Sequence, residues 1–398
     1  MKTILILHHV STLGGGTNSM FDVADMLRDQ YHIVLCVPDS SREIKEIAYQ
    51  KSLDIYEIKT PIPSLNVYSG MPGYFSKYFL SRVFRFLFNK KFVQELLALN
   101  PDAILFNTSV TALIAKDLPR NIKRICTVRE TFIKSPFNAI IRKNFEKNFD
   151  GVAFIAKHEM AALGLIRPMQ EVIPDCVPMP DLNADINEIV LLRNKYHISS
   201  EDFCVLFMGG LSPIKGIDVL LKAADSLTDE HIKIIIAGHI NFDILTLSYE
   251  ISHFWHIKYI AFLHSVRTRL FRLLNQGKIV LTGYTNDMIP LIRLCNTVAF
   301  PSTAPHQPRP CIEAGAFRRS VILSDYDATR EFFIDGYNAL TFRPRDYKAL
   351  SHVILRLKSN PDLNRQIADN NYYMTCSRHN YQSEKKRFIS FFEKVFHE

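Results

Sequence analysis

Short, almost wholly apolar runs recur along this chain, each followed by a longer amphipathic stretch, and the series runs through twice. In the first half the runs are TILILHH, HIVLCVP, DIYEIK, AILFN, RICTV and GVAFIA, with helices expected from about Asn18 to Asp29 and around Ile44 to Lys51. In the second half FCVLFMGG, IKIIIAG, KIVLTG, TVAFPS and VILSD take over, with helices expected over Val219 to Leu227 and from about Pro310 to Phe317. Apolar runs of this kind read as strands, and strands alternating with helices build parallel βαβ units. Two similar α/β halves follow, as expected of 398 residues, which exceed what one core usually supports. No short-period repeat or low-complexity tract competes with this reading.

Between the halves lies VIPDCVPMPDLNADINEIVLLRNKYHISSED, where prolines and a polar run precede a helix ending near Lys195. The hinge is placed close to residues 177 to 184, giving one domain over 1–177 and a second over 178–383. Two doubly wound parallel sheets joined in this way are expected to face a central cleft, and ligands of such folds bind at the carboxyl ends of the strands.

Composition removes several other classes. Hydrophobic residues at 47% and charged residues at 22% argue against disorder and against a disulfide scaffold. Cysteines 36, 126, 176, 204, 295, 311 and 376 are scattered singly, without Cys-x-x-Cys pairs or metal-ligand spacing, and read as reduced thiols of a cytoplasmic protein with no bound metal. The apolar run at the N-terminus is broken by His8 and His9 too early for a secretory signal, and no uninterrupted apolar stretch is long enough to span a membrane. A net charge of +8 favours anionic partners such as phosphates or phospholipid headgroups. Nucleic acid is not expected, because the basic residues are spread over both halves and no recognition motif is present.

Three segments carry the chemistry. The turn after the first strand holds Gly14, Gly15 and Gly16 and opens a helix, so a phosphate or sugar hydroxyl can approach the backbone there; a plain flexible turn is the alternative. The equivalent turn of the second half reads Gly209-Gly210-Leu211-Ser212-Pro213-Ile214-Lys215-Gly216. Its glycines supply backbone donors, and Lys215 can deliver an ammonium to a diphosphate unless it is an ordinary surface lysine. The third runs from Pro301 to Ala316, where a proline-rich loop with His306 and Arg309 feeds a helix opened by Pro310 and carrying Glu313 in its first turn. A carboxylate there can accept both hydroxyls of a ribose, or simply favour the helix N-terminus, while Arg309 can fork onto phosphate oxygens. Neither a G-x-G-x-x-G fingerprint nor a P-loop occurs.

The order GGLSPIKGIDVLLKA, LTGYTNDM, AFPST and RPCIEAGAFRRSVILSD resembles the donor-binding domain of the retaining GT-B glycosyltransferases related to glycogen synthase and sucrose synthase, the group-1 family called GT4. The resemblance covers the whole chain, with Gly14 to Gly16 matching the N-terminal glycine loop, and is most specific in the second half. It implies a GT-B architecture of two Rossmann-like domains, acceptor-side over 1–177 and donor-binding over 178–383. A C-terminal helix over 384–398 would pack back toward the first domain. By the same resemblance Lys215 binds the diphosphate, Glu313 holds the nucleotide ribose, and Gly283 and Tyr284 lie against the base. The reaction it implies is transfer of a sugar from a nucleotide diphosphate sugar, UDP favoured, to an acceptor hydroxyl with retention and without a cofactor.

Three positions depart from the family pattern. Gly210 stands where an arginine is usual, so Arg309 is expected to supply that charge. Pro305 stands where the first glutamate of the motif is usual, and His306 or Gln307 is expected to take over its contact with the donor sugar. The strand RICTV leads to Arg129-Glu130 instead of a histidine; these two either enter the cleft, Arg129 on phosphate and Glu130 on a sugar or acceptor hydroxyl, or form a surface ion pair. Pro305 also leaves room for a nucleotide-sugar epimerase on the same fold, or for an inactive nucleotide-binding subunit.

Residues 74–92, crowded with aromatic and basic side chains and free of acids, have the composition of a helix lying in an anionic membrane interface. A core helix with a solvated basic face is the alternative. With the membrane reading, the acceptor is expected to be a lipid-linked or surface-polysaccharide glycan at the inner face of the membrane. A second basic stretch, His264 to Leu274, is expected to be a helix of open role.

Overall fold

The computed structural model describes all residues except 40–41, 66–76, 133–134, 136, 178–185, 239, 247, 250–256, 284, 286–287 and 398. Most of the expected hinge, the residue Tyr284 and the first part of the 74–92 stretch therefore lie outside the described residues.

The chain divides into two compact units, residues 1–176 with 379–398, and residues 177–378. The first unit contains β1 (Thr3–Leu7), β2 (His32–Pro38), β3 (Asp54–Ile58), β4 (Ala103–Phe106), β5 (Lys123–Val128), β6 (Gly151–Phe154) and β7 (Met169–Val172), in the order β3-β2-β1-β4-β5-β6-β7. The second contains β8 (Phe203–Met208), β9 (Ile232–Ala237), β10 (Ile279–Gly283), β11 (Thr297–Phe300), β12 (Ser320–Ser324) and β13 (Leu340–Phe342), in the order β10-β9-β8-β11-β12-β13. Every pairing between these strands is parallel. Both units are therefore doubly wound: the chain moves outward from the first strand, then returns to the other side of it. The expected fold class is met.

The apolar runs of the sequence become strands because parallel sheets carry helices on both faces and bury their strands fully. Ile4 to Leu7 and Cys204 to Phe207 are solvent-excluded accordingly. Several helix boundaries shift by a turn or less, while the helix expected over His264 to Leu274 begins about two turns earlier, at Ile257. The helix after β1 spans Gly15–Leu27, starting three residues before the expected Asn18, so two of the three consecutive glycines belong to its first turn. The edge strands β7 and β13 were not among the expected strands; Met169–Val172 is only half-buried and Leu340–Phe342 has three residues, so neither forms an apolar run.

The helix Tyr381–His397 belongs to the first unit. Phe388, Phe391 and Phe392 recur at helical spacing on one side, and with Val395 they are buried in the core that includes Ile4, Ile6, Met20 and Phe21. At roughly 2 kcal/mol per buried large apolar side chain, these contacts fasten the C-terminus to the first sheet. Among the described residues no helix is long and apolar enough to cross a membrane.

Candidate functional site

In the second unit β8 and β11 are neighbours at the point where the strand order reverses, and the loops that leave their carboxyl ends run side by side. Thr303 donates from its backbone amide to the Ile214 carbonyl at 2.9 Å and from its hydroxyl to the Pro213 carbonyl at 2.8 Å. Gly216 ends the first loop at φ +82°, and a Cβ placed on it would lie 1.8 Å from the Pro301 carbonyl oxygen. Only glycine tolerates both the left-handed backbone and that approach. The bonds within the loop run from the amides of Ser212, Lys215 and Gly216. Among the described residues none takes up the amides of Gly210 or Leu211, which can donate to an incoming anion.

Lys215 projects from this loop to a position 5.4 Å from the centre of the Phe300 ring at the end of β11. Its ammonium has no hydrogen-bond or ion-pair partner among the described residues. Burial lowers its pKa from the ordinary 10.5, and the nearby Glu313 carboxylate acts in the opposite direction. His306 stacks on the same Phe300 ring, with centroids 6.0 Å apart and planes 16° from parallel. Its imidazole is held neutral, its pKa brought down to about 3 by burial and then by the Lys215 charge. Ser302, one residue further along the loop than Pro301, keeps a buried hydroxyl with no partner among the described residues.

Arg309 and Glu313 occupy successive turns of the helix Arg309–Ala316, with Arg309 Nε 2.9 Å from Glu313 Oε1. That helix is seated on the helix Pro361–Arg378. Asn371 donates to the Cys311 and Arg319 carbonyls at 3.2 and 3.1 Å, and a Cβ on Gly315 would come within 2.1 Å of Thr375 Oγ1. Pro310 fits the first turn, where an amide would have no intrahelical acceptor. Gly209, Gly210, Lys215, His306, Arg309, Pro310 and Glu313 are thus carried by two adjoining loops and the helix that the second of them feeds. Gly283 ends β10, two strands from β8 on the side away from β11, and its carbonyl accepts from the Gly238 amide at 2.9 Å. Gly238 was not among the expected residues. A Cβ there would stand 3.2 Å from the Gly210 amide nitrogen, so it leaves the loop after β8 room to turn.

In the first unit the equivalent reversal lies between β1 and β4. Asn107, after β4, donates to His8 Nδ1 at 3.0 Å and to the Gly16 carbonyl at 2.9 Å. His8 Nε2 lies 3.2 Å from the Thr17 hydroxyl, which in turn donates to the Thr12 carbonyl at 2.9 Å. These partners require the neutral tautomer protonated on Nε2, and burial with the neighbouring His9 and Arg129 brings the His8 pKa down to about 3. This network, absent from the expected residues, fixes the turn that presents Gly15 and Gly16.

Arg129 and Glu130 are both engaged within the first unit. Arg129 pairs with Asp175 and donates from Nε to the Asn107 carbonyl at 3.2 Å. Glu130 accepts from the Thr108 and Ser109 hydroxyls and from the amides of Ser109 and Arg129. It therefore sits at the start of the 3₁₀ helix Ser109–Asp117, where exposed amides favour a carboxylate.

Two doubly wound sheets with a lysine-bearing glycine turn beside a glutamate-bearing helix form the GT-B architecture. Residues 190–374 match the family model for glycosyl transferases group 1. The whole chain is similar in structure to Anabaena Alr3699/HepE in complex with UDP-glucose, with a TM-score of 0.76 and 19% identity over 99% of this chain and 100% of that one. A sucrose-phosphate synthase from Thermosynechococcus elongatus gives a TM-score of 0.75 at 16% identity, covering 100% and 99%. A glycosyltransferase from Rickettsia africae ESF-5 gives 0.72 at 17%, covering 99% and 98%. No curated protein matches the chain in sequence. The match to the group 1 model thus falls within the second unit, and the fold of the whole chain is that of the GT-B structures.

Proposed function

We propose that the chain transfers a sugar from a nucleotide diphosphate sugar to an acceptor hydroxyl, with UDP as the favoured nucleotide and retention at the anomeric carbon. The observation that carries this reading is the convergence of Lys215, Arg309 and Glu313 at the strand-order reversal of the second unit. As the bond from the anomeric carbon to the diphosphate oxygen breaks, negative charge grows on the departing diphosphate, and preorganised cations and backbone donors stabilise it there. Lys215, Arg309 and the Gly210 amide fill that role, while the Glu313 carboxylate takes the ribose hydroxyls. In the first unit Arg129 and Glu130 act by holding the ends of β4 and β5 in place. The acceptor is a lipid-linked or surface-polysaccharide glycan at the inner face of the membrane.

The deciding measurement is calorimetric titration of the protein with UDP and GDP, repeated with Lys215→Ala and Glu313→Ala. Micromolar binding of one nucleotide, lost in both variants, is the expected result. Absence of binding by the folded wild type removes the assignment. Pro305 favours a second reading, a nucleotide-binding chain of altered or lost turnover, because a proline side chain cannot hydrogen-bond a donor-sugar hydroxyl. Nucleotide binding without sugar transfer or donor hydrolysis distinguishes it.

A further inference from the structure

Among the described residues of the helix Lys77–Leu87, apolar side chains fall on two sides, one buried and one exposed. Phe86 is buried and Val83 packs against the core of the first unit. On the other side Leu80, Phe84 and Phe88 follow at intervals of four, with 55%, 60% and 69% of their surface exposed. Phe84 and Phe88 rest on each other, ring centres 4.4 Å apart, and so form a continuous apolar ridge. Isolated exposed apolar residues are ordinary, whereas a contiguous aromatic ridge marks a contact surface.

Charge decides what it contacts. No acidic residue lies between Glu57 and Glu95, while Arg85, Lys90 and Lys91 are exposed around the ridge. The Glu95 carboxylate is held by the Lys59 and Thr60 amides and the Thr60 hydroxyl. A second copy of the chain would set these cations against one another. An anionic lipid surface matches both features, with rings entering the acyl boundary and cations meeting headgroup phosphates. We propose that Leu80, Phe84 and Phe88, with Arg85, Lys90 and Lys91, dock this chain on an anionic phospholipid bilayer. The proposal stands apart from the nucleotide site.

Vesicle co-sedimentation tests it, using phosphatidylcholine alone and phosphatidylcholine mixed with phosphatidylglycerol. The full chain is compared with a Phe84→Ser, Phe88→Ser variant and an Arg85→Glu, Lys90→Glu, Lys91→Glu variant, each checked for native circular dichroism and for mass in solution. The expected result is binding to the anionic vesicles only, weakened at least about tenfold by the serine variant and roughly a hundredfold by the charge reversal. Equal binding by wild type and serine variant overturns the proposal, as does failure of the wild type to bind. A wild-type dimer that the serine variant turns into a monomer, without vesicle binding, assigns the ridge to self-association instead.

Discussion

Arg309 and Glu313 close on each other across one helical turn, guanidinium Nε to carboxylate Oε1 at 2.9 Å, with both side chains largely shielded from solvent. Each keeps its partner positioned before any ligand arrives, and each is assigned a different part of the nucleotide. Arg309→Ala and Glu313→Ala should therefore each weaken UDP binding by about tenfold or more, while the double variant loses less than the two combined. Calorimetric titration of all four proteins measures the coupling. Additive losses would mean that the pair does not act as a unit.

Lys215 carries a pKa below the ordinary 10.5 because it is taken out of water without a partner. A bound diphosphate raises it again, so binding takes up a proton in the alkaline range. UDP affinity should then fall with rising pH, beginning below pH 10.5 and approaching about tenfold per unit. Lys215→Arg, whose charge does not titrate there, should abolish that limb. An affinity that stays level up to the ordinary lysine range would separate Lys215 from the ligand.

Gly216→Ala introduces a methyl group directly against the Pro301 carbonyl and places alanine at φ +82°. The left-handed backbone alone costs about 1–2 kcal/mol, and the collision must add to it by pushing the two loops apart. Gly277, at φ +66° with nothing near its would-be Cβ, supplies the control. In thermal unfolding Gly277→Ala should show the backbone cost alone and retain nucleotide binding. Gly216→Ala should melt lower and lose it, and equal losses in the two variants would refute the close approach.

Glu384 is buried at the start of the C-terminal helix, 3.6 Å from Arg387, with its pKa raised to about 7 by burial and by Glu171. A carboxyl whose pKa rises on folding contributes stability below its unfolded value of 4.5 and loses it as the pH climbs through about 7. Glu384→Gln should therefore be nearly neutral at about pH 4–5 and stabilising at about pH 8, by up to roughly 3 kcal/mol. Melting temperatures of both proteins across that range provide the check; a variant less stable at the alkaline end would contradict the buried charge.

The strands and the second-unit loops were legible because their signals are local: apolar runs, and glycines or prolines at fixed offsets from Lys215 and Glu313. What escaped notice depends on partners far away in sequence. Arg129 and Glu130 read as free cleft residues or as each other's partner, yet Asp175 and the Thr108–Ser109 pair occupy them from separate elements. Gly238 carries no local signal beyond closing the run IKIIIAG, and its relation to Gly210 arises only when β8 and β9 pair in register. His8 seemed merely to interrupt an apolar run, whereas Asn107 and Thr17 make it the centre of a polar network.

The strand order of the second unit also bears on how such a chain can change over evolutionary time. Between β8 and β11 the chain makes an excursion to one edge of the sheet, through β9 and β10, and then returns to the other side of β8. The two loops that carry Lys215 and Glu313 meet because β8 and β11 pair, whatever length of chain lies between them. Insertions and deletions along the excursion can therefore accumulate at the sheet's margin while the spacing between ammonium and carboxylate is inherited intact.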